Sequence, residues 1–195
     1  QHGQIMLSMF DGDGAPYMGD PRHILMQVVS RFKAAGWRPV VAAELEFSLV
    51  TWDRDIPAHT CPSPVGSGPV GGNTYGLDVL NHHRQMMEDL RVACEIQDLP
   101  FDGVVKESAP SQYEINMQHV DDPVKAARQI IMMKRLIKGV AAKHGLIASF
   151  MAKPFENEAG NGMHVHCSVL NEKGINIFDD GTDKGTPLLH QAIGG

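Results

Sequence analysis

The chain has 195 residues, of which 43% are hydrophobic and 21% charged, and its formal net charge is −6. This balance is typical of a folded globular protein and excludes a disordered chain. No apolar run reaches the ~20 residues of a membrane-spanning helix, no signal peptide is recognisable, and no cluster of Lys and Arg indicates a nucleic-acid site. We therefore expect no membrane and no nucleic-acid partner.

The cysteines are Cys61, Cys94 and Cys167. Their odd number and wide spacing are typical of free thiols and argue against a disulfide framework or a Cys-x-x-Cys metal site. Free thiols indicate a reducing compartment, so we expect a cytoplasmic protein.

The first half of the chain predicts a helix, a strand, a long loop and a second helix. An Asp-Pro pair at 20–21 begins a helix with apolar residues at helical spacing, which ends at Gly36. Residues 39–51 change to the period of two that is typical of a strand. Residues 55–76 are rich in Gly and Pro and predict a loop, and residues 78–98 predict the second helix.

The second half continues the alternation of helices and strands. The same signals predict strands at 101–106 and 112–119, a helix from Asp122-Pro123 to Gly145, strands at 147–152 and 163–169, and a helix start at Thr186-Pro187. Little sequence follows that last start, and the chain opens without Met. We therefore expect it to be a segment of a longer protein.

Three of the predicted strands carry a polar face opposite an apolar face, because successive side chains of a strand alternate. The polar faces hold Glu44 and Glu46 on the first strand, Gln112, Glu114 and Asn116 on the second, and His164, His166 and Ser168 on the third. A solvated outer face is the alternative interpretation, but such a face usually carries Lys and Arg, and these faces carry neither.

The composition of these faces indicates a cation site. Carboxylates that lie two apart, such as Glu44 and Glu46, repel each other unless a cation lies between them. Carboxylate oxygens with one imidazole suit Mg²⁺ or Mn²⁺ better than Zn²⁺. Sites of this kind most often serve phosphoryl transfer. A glycine-rich connection at 156–162 adds a segment whose backbone can approach an anion closely.

Together these blocks resemble the glutamine synthetase family. The block from Lys153 to Ser168 is similar to the family's nucleotide-binding signature, and the acidic elements at 44–46 and 107–114 occur in the family's order. Residues 150–154 and 189–195 are closest to the γ-glutamylpolyamine (putrescine) synthetase branch. The resemblance implies an α+β fold in which an antiparallel sheet is flanked by helices.

The resemblance also implies which residues bind the ligands. It implies that Glu46, Glu107 and Glu114 hold one divalent ion, Mg²⁺ or Mn²⁺, and that Glu44 and His164 hold a second. It further implies that Asp102, His166 and Ser168 contact ATP and that Gly160 contacts the substrate glutamate. It assigns no catalytic residue. Two positions depart from the family. Ala159 stands where ammonia-fixing relatives have Asn, and Ser111 stands where many members have Gly.

The implied activity is an ATP-dependent ligase that joins the γ-carboxylate of glutamate to an amine through a γ-glutamyl phosphate. A polyamine or other organic amine is favoured over ammonia. The alternatives are an ammonia-using glutamine synthetase, a non-catalytic structural or regulatory homologue, and, from the His-x-His pattern alone, a metal-dependent hydrolase.

The resemblance implies that residues 1–195 are part of a catalytic domain, without the family's N-terminal β-grasp domain and without its C-terminal part. Family members form large homo-oligomeric rings in which a neighbouring subunit completes each active site. We therefore expect this chain alone to be inactive. Cys167 is expected in the core, and no role is assigned to six other histidines: His59, His82, His83, His119, His144 and His190.

Overall fold

The computed structural model describes residues 5–53, 56–60 and 74–195, in which helices and strands alternate. The helices are α1 (Pro21–Ala34), α2 (Leu77–His82), α3 (Arg84–Ile96), α4 (Pro123–Lys143) and α5 (Pro187–Gly194). The strands are β1 (Arg38–Asp53), β2 (Ile56–His59), β3 (Phe101–Lys106), β4 (Gln112–Met117), β5 (Ile147–Ser149) and β6 (Met163–Leu170). The fold is α+β, as predicted.

Helices begin where the sequence supplies a cap. The carboxylate of Asp20 accepts a hydrogen bond from the backbone N–H of Arg22, at 3.0 Å, ahead of the proline that opens α1. Asp122 caps α4 in the same way, and the Thr186 hydroxyl accepts from the N–H of Leu189 at the start of α5. These contacts satisfy N–H groups that the first turn leaves without a partner, and they confirm the predicted starts.

Two predicted elements differ in the structure. The predicted loop at 55–76 contains strand β2, and residues 54–55 and 61–73 lie outside the described residues, Cys61 among them. The predicted helix at 78–98 is two helices, α2 and α3, because the backbone of His83 (φ −109°, ψ 25°) departs from helical geometry. The Nε2 atom of His83 lies 3.0 Å from the hydroxyl of Thr60, a tertiary contact that accompanies the break.

The sheet places β1 at its centre. The order along the sheet is β2-β1-β4-β3, and β5 and β6 also pair with β1. The β1–β4 pair is antiparallel, with Leu45 opposite Ile115 and Glu46 opposite Glu114. Since opposite residues share a face, this register puts apolar side chains on one side of both strands and carboxylates on the other.

The apolar face of β1 and β4 is the floor of the core. Leu45, Phe47, Leu49, Tyr113 and Ile115 are almost completely buried in one cluster with residues of α3 and α4. The helices contribute Met86, Leu90, Cys94, Met133, Ile137, Val140 and Ala141. This side of the sheet is fixed by hydrophobic burial, which leaves the opposite side available for polar side chains.

The chain forms two compact units. One contains Gln1–Val41, His119–Arg128 and His166–Gly195, and the other contains Ala42–Gln118 and Gln129–Val165. The second unit holds the core described above. In the first unit, Val41 and Val120 exchange backbone hydrogen bonds, and Arg38 forms an ion pair with Asp121.

The apolar residues of α1 are largely exposed in the first unit. Its apolar residues recur at helical spacing, yet only His23 of this helix is buried. Among the helices of the described residues, none has the length and apolarity that a bilayer span requires.

Replacing a core side chain of β1 tests this arrangement. Phe47 is fully buried, and its ring centroid lies 6.1 Å from that of Tyr113 and 5.6 Å from that of Phe150. We expect Phe47→Ala to lower the free energy of unfolding by about 3–5 kcal/mol, since it removes a large apolar group and leaves a cavity. Chemical denaturation measures the change.

Trp52→Ala on the same strand is the control, because Trp52 is 60% exposed. It should change the free energy of unfolding by less than about 1 kcal/mol. Equal effects of the two substitutions would contradict the placement of the core.

A candidate active site on the polar face of the sheet

The β1–β4 register brings acidic side chains together on the polar face. Glu46 lies directly opposite Glu114, and Glu44 lies opposite Asn116. Opposite side chains of an antiparallel pair have Cβ atoms about 4.5–5.5 Å apart, so carboxylates in these positions interact strongly. Glu107 follows the last residue of β3, which is the other neighbour of β4.

Two of these acidic side chains and one histidine lie around a common point. Glu44, Glu114 and His164 each offer a ligand atom, and these atoms all lie within 4.8 Å of one another. The Nδ1 atom of His164 is 3.1 Å from a carboxylate oxygen of Glu44. Glu114 is the most buried member of the group, at 7% exposure, and His164 is exposed. We call Glu44, Glu46, Glu107, Glu114 and His164 the acidic cluster.

Mutual repulsion within the acidic cluster is visible in the pKa values. Burial raises the pKa of Glu114, and the negative charges of Glu44, Glu107 and Glu46 raise it further, against a smaller opposing effect of a hydrogen bond to Asn116. Burial likewise raises the pKa of Glu107, with a further contribution from Glu46. Glu44, Glu46 and Glu107 therefore lie close enough to Glu114 to disfavour its charge, a cost that a bound cation would remove.

Glu46 is oriented by two donors. Its Oε2 atom accepts hydrogen bonds from the side-chain amide of Gln112 and from the backbone N–H of Gly162, both at 2.9 Å. The same amide nitrogen of Gln112 donates to the carbonyl oxygen of Gly160, also at 2.9 Å. Gln112 therefore links a carboxylate of the acidic cluster to the glycine-rich connection.

The connection that carries Glu107 is held by a buried lysine. Lys106 is almost completely buried, and its Nζ atom donates to the carbonyl oxygens of Glu107 and Ala109. The side-chain oxygen of Gln112 accepts from the N–H of Ala109, at 3.0 Å. These bonds fix the backbone between β3 and β4. Sequence reasoning did not assign Lys106 a role, although a lysine at the end of an apolar strand is a signal for one.

Gly160 sits where no larger residue fits. A Cβ atom at this position would lie 2.3 Å from the carbonyl oxygen of Ala152, which is far below contact distance. The next residue, Asn161, donates its backbone N–H to that same oxygen at 2.8 Å and its side-chain amide to the carbonyl of Met151. The glycine at this position is therefore required by close packing of backbone against backbone, and the predicted approach of the connection to an anion stays a prediction.

The remaining predicted site residues lie outside the acidic cluster. Asp102 is exposed in β3, where the register with β4 shifts. His166 and Ser168 follow His164 along β6 but belong to the first compact unit, and His166 is exposed. The expectation that Cys167 lies in the core is wrong, because its side chain is exposed. The apolar face predicted for β6 is exposed at Met163, Val165 and Cys167 and is buried only at Val169.

One histidine without a predicted role has specific contacts. His59 lies between Ser111 and Glu158, at 3.1 Å and 2.7 Å. The sequence did not indicate a role for His59, because this residue lies in a stretch whose Gly and Pro content predicts a loop.

The donor set fits a hard divalent cation. Oxygen donors dominate, one imidazole contributes nitrogen, and no described cysteine takes part. Mg²⁺ and Mn²⁺ prefer such ligands, whereas structural Zn²⁺ sites usually contain more nitrogen or sulfur. The raised pKa values of Glu107 and Glu114 support the same conclusion.

Comparison with known proteins finds relatives that are named as a γ-glutamylputrescine synthetase and as glutamine synthetases. The chain is 39% identical over 197 residues to γ-glutamylputrescine synthetase PuuA of Escherichia coli K12, which covers 99% of the chain and 42% of the relative. It is 30% identical over 193 residues to a glutamine synthetase of Thermotoga maritima, and this match spans 98% of the chain and 42% of the relative. The chain thus spans less than half the length of these relatives.

A solved structure described as apo GmaS without ligand superimposes with a TM-score of 0.81 at 26% identity, over 93% of this chain and 42% of that one. The family model for the catalytic domain of glutamine synthetase matches residues 18–195. With the antiparallel sheet and the match over nearly its whole length, the chain belongs to the glutamine synthetase family.

Proposed function

We propose that the protein containing this chain is an ATP-dependent ligase that joins the γ-carboxylate of glutamate to an amine through a γ-glutamyl phosphate. The observation that carries the proposal is the acidic cluster on the polar face of the sheet, where the buried carboxylate of Glu114 and three partly buried carboxylates lie beside a histidine. Family membership supports the same reaction class.

The proposal assigns Glu46, Glu107 and Glu114 to one Mg²⁺ or Mn²⁺ ion and Glu44 and His164 to a second. The short distance between Glu44 and His164 supports the second ion, and Glu114 lies within reach of it as well. When bound, such ions polarise a transferring phosphoryl group and offset its charge. The carboxylates fix the position of that charge, and the two hydrogen bonds to Glu46 keep one of them in a single orientation.

The glycine-rich connection is proposed to bind glutamate at Gly160. Gln112 supports this assignment, because its amide joins the carbonyl of Gly160 to the carboxylate of Glu46. A movement of the glycine-rich connection would therefore disturb Glu46, a proposed metal ligand, and a movement of Glu46 would disturb the connection. ATP is proposed to contact Asp102, His166 and Ser168, and homo-oligomeric assembly is proposed as in the family.

An organic amine is proposed as the acceptor. The support is the higher identity to a γ-glutamylputrescine synthetase, 39%, than to a glutamine synthetase, 30%. Residues 150–154 and 189–195, which are closest to the polyamine branch of the family, contribute in the same direction. An ammonia-using enzyme and a non-catalytic homologue are the alternatives that the experiments below distinguish.

The first test is the thermal response to Mn²⁺. At a hundredfold excess over Kd, ligand binding adds about 2.7 kcal/mol of stability, which for a chain of this size raises Tm by roughly 5–10 °C. Glu114→Gln should lose most of this increase, because it removes the buried carboxylate of the acidic cluster. Asp53→Asn, which changes an exposed carboxylate at the end of β1, is the control and should retain it. An unchanged Tm in the wild type at saturating Mn²⁺ would contradict the site.

The metal-free protein should show the opposite effect of the same substitution. The pKa of Glu114 is raised above its ordinary value of 4.5, so folding favours the neutral acid. That contribution is fully present below pH 4.5 and is lost as the pH rises through the raised pKa. At pH 7 without metal, Glu114→Gln should therefore be at least as stable as the wild type. A large loss of Tm at that pH would contradict the repulsion.

The second test compares amines. The full-length protein is assayed for ATP hydrolysis with glutamate plus ammonia, putrescine, spermidine or ethanolamine, and reactions without glutamate are the control. We expect kcat/KM for an organic amine to exceed that for ammonia by about tenfold or more, equivalent to ~1.4 kcal/mol of transition-state binding. Turnover with ammonia alone would contradict the organic-amine proposal. No turnover with any amine would support the non-catalytic homologue.

A further inference from the structure

A histidine outside the acidic cluster joins two of the segments that form the site. The Nε2 atom of His59 lies 2.7 Å from Oε1 of Glu158, and its Nδ1 atom lies 3.1 Å from the hydroxyl of Ser111. The ring packs against Phe155, with the ring centroids 4.1 Å apart. His59 therefore contacts the start of β4 on one side and the glycine-rich connection on the other.

The hydrogen bonds form a continuous chain when His59 is neutral. The backbone N–H of Thr60 donates to the hydroxyl oxygen of Ser111, at 2.9 Å. The hydroxyl can then donate its proton to Nδ1 of His59, and the Nε2–H group can donate to the carboxylate of Glu158. Each donor in this chain has an acceptor, so the imidazole is held in one orientation.

Glu158 depends on this contact for its position. Its side chain is only 17% exposed, that of His59 is 25% exposed, and Oε2 of Glu158 is buried without a hydrogen bond among the described residues. A carboxylate that is buried with few partners is costly, and removing one of them costs more than an average hydrogen bond contributes. Without His59, the carboxylate should turn towards solvent and move the backbone that leads to Gly160.

Ser111 makes the contact at the other end. This buried serine stands directly before Gln112, whose amide donates to the carbonyl of Gly160 and to the carboxylate of Glu46. His59 thus reaches both partners of the Gln112–Gly160 hydrogen bond, through Ser111 on the strand side and through Glu158 on the side of the connection. Many family members have Gly at the position of Ser111, and a glycine could not form this link.

We propose that His59 is a positioning residue that holds residues 155–160 in the conformation that presents Gly160 to the substrate. Its partners in this role are Ser111, Glu158 and Phe155. The proposal rests on the proposed function for the identity of the substrate, glutamate, but the ordering of the segment is independent of it.

The ordering is tested by hydrogen exchange of the full-length protein. His59→Ala should speed exchange of backbone amides in residues 155–160 by about tenfold or more, since local opening no longer breaks the contacts of the imidazole. His144→Ala is the matched control, because His144 is also 25% exposed and lies 2.8 Å from a carboxylate, that of Asp89. It should leave exchange in residues 155–160 unchanged. Equal exchange in the two variants would overturn the proposal.

Steady-state kinetics separate positioning from a general loss of stability. His59→Ala should raise KM for glutamate by about tenfold and change kcat less, because the chemical groups of the acidic cluster are untouched. His59→Gln, whose amide can still donate to Glu158, should recover part of that loss, and Ser111→Gly should show an intermediate effect. An unchanged KM with a lowered Tm would show a purely structural role and overturn the proposal.

The experiments distinguish a failure of the proposed function from a failure of the role proposed for His59. If the wild type has no glutamate-dependent turnover, the proposed function is wrong, and the exchange experiment alone then decides whether His59 orders the segment.

Discussion

The electrostatic repulsion among four carboxylates is the constraint on which the rest of this structure depends. The β1–β4 register fixes Glu46 opposite Glu114, and burial together with the charges of Glu44, Glu107 and Glu46 raises the pKa of Glu114. A fold that places these groups together must hold them against their own charge. The hydrophobic core on the other face of the same two strands supplies that restraint, because a slip of one residue in register would bury the carboxylates and expose the core.

Hydrogen bonds from polar side chains hold the site residues in addition to the hydrophobic core. Gln112 donates to Glu46 and Gly160, and Lys106 holds the carbonyl oxygens around Glu107. The proposed metal ligands and the proposed substrate segment therefore share hydrogen-bond partners, so order in one supports order in the other. His59 extends the same principle to residues 155–158.

The strands and the acidic faces could be predicted from alternation, because burial of one face and polarity of the other leave a period of two, as in Leu45, Glu46 and Phe47. Helix caps such as Asp20 could also be predicted, because the capping residue lies next to the helix start in the sequence. The role of His59, the break at His83 and the exposure of Cys167 depend on which segments meet in space. Local pattern does not carry that information. The assignment of the acidic cluster to two ions stays a prediction.

The most direct test of the account is the position of a bound ion. Crystals of the full-length protein grown with Mn²⁺ should show anomalous scattering from manganese at Glu44 and His164, and from a second manganese at Glu46, Glu107 and Glu114. The ligand atoms of Glu44, Glu114 and His164 already lie within 4.8 Å of one another. The account predicts that Glu114→Gln weakens or removes that signal. Manganese bound elsewhere, with these carboxylates left without an ion at saturating concentration, would contradict it.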